Sequence, residues 1–391
     1  MAASPASTAT TSPASKKRGG SARLMRNTPV GKKMAVVVGA MILPLLTLLG
    51  IYVWNQYADI KFVNDELEGL AYYHPLEEIG GAVNVRSAKL AMELSGGEAA
   101  KLGEVDSEID GLMAEMDELD KKYGRPESSA KWRSVHETWS KLKGTTPKDL
   151  ASSLSAHEAM VAGLADLRLH IATEWGMALD PYAETYYILD LAVNKIPELQ
   201  NGVGTARGLI GASVHGAAES PEIRLEMIRH SSIIDDRISA TQGALDIIKA
   251  KTAGDPAAKE VIAHIEADWI DKIHHWTKAV GVTAAQGKLS SADYQALLEE
   301  GNSIPALLDK VHDETMEAAH FMVAERAHGL IMSMIVGIVL VLLLCAASIK
   351  LAHAVSWRII GAIRRLKEIT GLIATGKFDN HLEADGSDEI A

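Results

Sequence analysis

Eight polar side chains lie beside apolar helical seams in this chain: Tyr72, Tyr73, Arg86, Tyr186, Tyr187, Asp190, Asn194 and Arg207. A guanidinium such as Arg86 or Arg207 can hold a carboxylate through two parallel N–H bonds, and tyrosine hydroxyls can orient a ligand held that way between helices. The same residue types can instead bond to one another, as Arg–Asp or Arg–Tyr networks that set helix register. Residue types alone leave both arrangements open. A second group, His264, Asp268, Asp271 and His275, is spaced four, three and four, so its members share one helix face and carry metal-ligand chemistry. That face lies over about 100° from the apolar seam of the same stretch, so it reads most simply as solvated, and no metal is expected.

Catalytic patterns are missing from the sequence. It has no phosphate-cradling glycine loop, no nucleophile elbow, no His-Glu-x-x-His and no Cys-x-x-Cys, so neither a catalytic residue nor a cofactor is expected. The single cysteine, Cys345, permits no disulfide within the chain. A net charge of -12 argues against nucleic acid, whose phosphates need a basic face.

The elements that must position these residues are helices. Aromatic residues make up only 5% of the chain, with three Phe, which favours bundled helices over a sheet-rich core. Trp132, Val135, Trp139 and Leu142 recur at three and four, as do Ile262, Ile265, Trp269, Ile273, Trp276 and Val280; both read as core seams. Breaks fall at Gly96-Gly97, Gly124 to Pro126, Gly144 to Pro147, Pro181, Pro221, Asp255-Pro256 and Gly287.

Two runs of 21 residues, Met34 to Trp54 and Gly329 to Ile349, contain no charge. Each reaches about 30 Å as a helix, the thickness of a bilayer's hydrocarbon core. A cleaved signal peptide is the other reading of the first run, but the run is long for one, and Trp54 and Tyr57 look like interface anchors at its end. Charge is sorted around these runs. Residues 1–33 hold seven Lys or Arg and no acid, and residues 350–391 hold six bases and six acids. The remainder carries 26 basic and 45 acidic residues, a net charge of -19. The positive-inside bias therefore predicts cytoplasmic termini, with residues 55–328 outside.

The organisation expected is all-α. A disordered, basic cytoplasmic tail (1–33), expected to be held near anionic membrane lipid, leads into a first transmembrane helix (34–54). A periplasmic helical bundle (55–328), a second transmembrane helix (329–349) and a cytoplasmic segment (350–391) follow. The helix from about Ala292 to His328 is expected to continue unbroken into the second apolar run, and the helix after the first to reach His74.

Several motifs carry a family resemblance. Ala156-His157-Glu158-Ala159-Met160-Val161, Leu179-Asp180-Pro181, Tyr186-Tyr187-Ile188-Leu189-Asp190, Ile196-Pro197-Glu198-Leu199 and Arg207-Gly208 form one set. Glu68-Gly69-Leu70 with Tyr72, Pro75-Leu76 and Arg86 form another. Together they resemble the periplasmic helical sensor regions of methyl-accepting chemotaxis proteins and membrane histidine kinases, over most of residues 60–215. Gly376-Lys377-Phe378 and Asp388-Glu389-Ile390 are similar to elements of a HAMP relay module. In such a module Ile363, Leu366, Ile369 and Ile373 line the first helix, and Gly376, Phe378, Asp388 and Glu389 belong to the relay. Ala362 stands where the family usually has proline, and the chain as given stops before the module's second helix.

The resemblance implies an inner-membrane receptor, homodimeric, that senses a small-molecule ligand in the periplasm. TM2 and HAMP then relay the signal to downstream chemotaxis or two-component signalling proteins through an output absent from these residues. The same input modules precede histidine kinases and diguanylate cyclases, so the sensor half of one of these is the alternative. A membrane-anchored helical protein that senses nothing is a third.

Overall fold

Proline and glycine punctuate this sequence into helices, and a computed structural model describes residues 28–265, 269–287 and 290–376. All regular structure among the described residues is helical. The main helices are α1 (Val30–Tyr73), α2 (Pro75–Leu94), α3 (Gly103–Tyr123), α4 (Pro126–Gly144), α5 (Leu150–Glu174), α6 (Ala183–Asp190) and α7 (Ile196–Val214). They are followed by α8 (Pro221–Thr252), α9 (Pro256–Ile265), α10 (Trp269–Gln286), α11 (Ser291–Gly301) and α12 (Ile304–Ala374). Pro opens α2, α4, α8 and α9, where its missing N–H costs nothing because first-turn donors have no helical acceptor. Every break anticipated from Gly and Pro is a helix boundary.

The expected continuity before the second apolar run is corrected at one point. A turn at Asn302-Ser303 separates α11 from α12. Pro305 supplies no N–H to the Gly301 carbonyl, so the helical ladder cannot cross that turn. Gly301 also lies under the Trp276 ring, where a Cβ would come within 2.8 Å of Nε1.

The chain divides into two compact units, Met1–Tyr57 with Met332–Ala391, and Ala58–Ile331. In the first, α1 and α12 contribute segments long and apolar enough to cross a membrane. Leu43, Leu48, Leu340 and Leu343 are more than half exposed there, an apolar surface that water solvates poorly. Within this unit Tyr52 Oη lies 3.0 Å from the Ser333 carbonyl. Its ring occupies the space over Gly337, where a Cβ would meet it at 2.7 Å. Ile363, Leu366 and Ile373 are exposed on the last part of α12, which is followed by a turn at Thr375-Gly376 where Gly376 has φ +83°. Phe378, Asp388 and Glu389 lie outside the described residues.

The second unit is a helical bundle with one contiguous core. Both tryptophan seams are buried in it. Trp132 and Trp139 donate their indole N–H groups to Asp117 and Asp110 at 2.8 and 2.9 Å, so these large side chains are buried with their polar atoms satisfied. A π-helical turn, Leu191–Lys195, joins α6 to α7. Its cause is local. Pro197 has no N–H for the carbonyls four and five residues back, Val193 and Ala192. His312 Nε2 lies 3.1 Å from the Ala192 oxygen and supplies the missing donor. Tyr73 Oη lies 3.3 Å from that of Val193.

Candidate functional site

The polar seam residues sort into separate environments. Tyr72 and Tyr73 are adjacent on α1, so their rings leave the helix about 100° apart. Tyr72 donates to Asp120 at 2.5 Å and rests against Trp175, while Tyr73 donates to Glu77 at 2.6 Å. Burial raises the pKa of both phenols well above the usual value. Arg86 is buried and already occupied. Its Nε bonds Asp106 at 2.7 Å, its Nη1 lies 3.0 Å from His157 Nε2, and its plane lies over Trp139. Tyr186 and Tyr187 meet edge to face at 5.2 Å. Asp190 accepts from Asn194 at 2.9 Å and pairs with Lys195. Arg207 reaches Asn302 at 3.0 Å and lines a cavity of about 380 Å³ with Asp309 and Asp313. The eight residues are thus not convergent on one pocket, and Arg86 takes the internal-network arrangement.

Sequence reasoning missed two further buried networks. Arg168 on α5 pairs with Glu77 on α2, and both are buried. Arg326 on α12 holds Asp180 through Nη1 at 2.7 and 2.8 Å, bonds Thr185 at 2.9 Å, and pairs through Nη2 with the fully buried Glu66. Two carboxylates therefore face one guanidinium. Burial, then the Asp180 charge, raises the Glu66 pKa to about 8, against the opposing pull of Arg326. A signal for these networks was present. Glu66 and Tyr73 fall in register with Val63 and Leu70 at three- and four-residue spacing, and Arg168 falls in register with Leu164 and Ile171. A charge on a buried stripe requires a partner charge.

A cleft of about 530 Å³ is walled by α2, α5, α7 and α8. Apolar surface comes from Leu154, Val161, Leu209, Ile223 and Ile233. Four carboxylates (Glu158, Glu198, Glu222, Glu226) and three guanidiniums (Arg168, Arg229, Arg237) also line it. His157 lies in its wall and is held neutral by burial; Nδ1 lies 2.7 Å from the Ser153 carbonyl, and Nε2 accepts from Arg86. Burial also lowers the pKa of His230, whose Nδ1 has no hydrogen-bond partner among the described residues. A concave site that combines apolar surface with converging polar groups is a form small-molecule sites take, and this one is unusually rich in charge.

Around the residues considered for a metal, Asp271 and His275 are exposed. The His264 side chain and Asp268 lie outside the described residues. No group of three metal-ligating side chains occurs among the described residues. No protein-family model, curated protein or solved structure matches this chain.

Proposed function

We propose that this chain is the input half of a transmembrane receptor: a helical domain that binds a small molecule outside the cytoplasm and passes the change in state inward along helices. The observation that carries it is the combination of two apolar, exposed helical segments with a bundle between them that holds a cleft of about 530 Å³. The segments suit a bilayer by length and surface, and the basic residues 1–33 support a cytoplasmic N-terminus, with the C-terminus on the same side after two crossings. The helices that carry these segments, Val30–Tyr73 and Ile304–Ala374, are each one unbroken element, and a stiff backbone is what a displacement needs to travel. A ligand acts by its difference in affinity between two arrangements of the bundle, which sets how far the population moves. The output module follows the resemblance to chemotaxis receptors. The exposed Ile363, Leu366 and Ile373 suit a homodimeric helical relay, where a second copy covers them.

Two experiments test this. Reporter fusions near position 200 are expected to give active alkaline phosphatase and a dark cytosolic fluorophore; the reverse pattern overturns the topology. Thermal unfolding of the full chain in lipid nanodiscs against a metabolite panel is expected to show a raised Tm for a binder, because a ligand that prefers the native state stabilises it. A flat response across every compound class removes the receptor reading.

A further inference from the structure

The cations in the cleft are already spoken for. Arg168 pairs with Glu77, Arg229 Nε lies 2.8 Å from Glu226, and Arg237 Nε lies 2.7 Å from Glu198. An incoming carboxylate would share a guanidinium with the carboxylate it already holds and add a like charge to a wall that carries four carboxylates against three guanidiniums, which sets a repulsive element against anions. The acceptors are in the opposite condition. Glu158 has no ion-pair partner among the described residues, Glu222 accepts from the Ser220 hydroxyl at 2.6 Å with the Arg224 charge acting on it, and Nδ1 of His230 has no hydrogen-bond partner among the described residues. The wall therefore offers acceptors and unbalanced negative charge, above an apolar surface.

Among the described residues no Phe, Tyr or Trp ring lines that wall. A quaternary ammonium, which cannot donate a hydrogen bond, is recognised by an aromatic cage, and this cleft does not supply one. An ammonium that still carries N–H groups matches Glu158, Glu222 and the unpaired ring nitrogen.

We propose that the cleft between α2, α5, α7 and α8 is selective for small organic cations, primary or secondary amines on an apolar body, and rejects carboxylates. The inference rests on the cleft being the receptor's ligand site. It departs from the carboxylate clamp that Arg86 and Arg207 suggested in sequence: neither lines this cleft, and Arg86 is occupied by Asp106 and His157.

The test uses the full chain in nanodiscs of zwitterionic lipid, with empty nanodiscs as blanks for partitioning. Each of several apolar bodies (phenylethyl, cyclohexylethyl, pentyl) is presented with four head groups: primary ammonium, trimethylammonium, carboxylate and hydroxyl. Titration calorimetry and Tm are read for each. The ammonium form is expected to bind at least about tenfold more tightly than the others on the same body, a difference of ~1.4 kcal/mol. Glu158→Gln with Glu222→Gln is expected to weaken the ammonium form about tenfold. Both positions are exposed, so the unliganded Tm stays in place. Carboxylate or alcohol binding that equals ammonium binding overturns the selectivity and leaves the receptor reading standing. Ammonium affinity that survives both substitutions overturns it too. If no head group on any body binds, the cleft is not the ligand site and both readings fall together.

Discussion

Glu66→Gln is the substitution whose consequence can be worked furthest. Glu66 is fully buried and shares Arg326 with Asp180. One guanidinium balances one carboxylate, so the second keeps its proton up to about 8, where an unperturbed carboxyl loses it near 4.5. The folded state thus binds a proton that the unfolded chain releases between these values. Stability is therefore fully present below 4.5 and declines as pH rises through about 8. At ~1.4 kcal/mol per pH unit the whole decline is about 5 kcal/mol. Relaxation and water entry reduce it, so a few kcal/mol, or a fall in Tm on the order of 10 °C, is expected between about pH 5 and about pH 9. Glutamine keeps the shape and the donor of the protonated acid but cannot ionise. The variant should match wild type near pH 5 and exceed it near pH 9 in differential scanning fluorimetry of the full chain in nanodiscs. The difference between the two profiles cancels the titration of other groups. A variant less stable than wild type at high pH, with an unchanged slope, would refute the reasoning, since it would mean that an ionised Glu66 strengthens the Arg326 cluster.

Other expectations follow from the same buried chemistry. Arg168→Met strands the Glu77 carboxylate in the core and should cost about 3–5 kcal/mol in chemical denaturation; adding Glu77→Gln should recover a large part of that loss. Gly69→Ala gains about 1 kcal/mol in helix propensity, yet its Cβ would sit 2.6 Å from Trp175 Cβ and 2.9 Å from Met177 Cε. Overpacking should win, for a net loss of about 1–2 kcal/mol and a lower Tm. His312→Leu removes the donor that reaches the Ala192 carbonyl and should cost about 1–3 kcal/mol, with faster amide exchange across residues 191–197.

Much of the architecture was legible without coordinates because it is local. Helix ends follow from prolines that lack a donor and glycines that relax the backbone, and these act on their own neighbours. The uncharged runs at 34–54 and 329–349 are legible for a similar reason, since length and composition alone match a bilayer. The Trp132 and Trp269 seams declared which face is buried through spacing within one helix. The π turn was less visible. Pro197 announces the missing donor, but its replacement, His312, comes from 120 residues away.

The partners of the buried charges were decided only by the tertiary structure. Arg86 takes Asp106 across 20 residues, Arg168 takes Glu77 across 91, and Arg326 takes Asp180 and Glu66 across 146 and 260. A helix's own periodicity states which face it buries, but carries nothing about how that helix is rotated or slid against another. Which guanidinium meets which carboxylate, and whether any remains for a ligand, depends on that rotation and slide. Sequence therefore determined a helical protein with two bilayer-length apolar segments and arginines on its seams. The packing of α2, α5, α7 and α8 decided that the arginines bordering the cleft, Arg168, Arg229 and Arg237, each meet a carboxylate, and that Glu158 and Glu222 face it beside them.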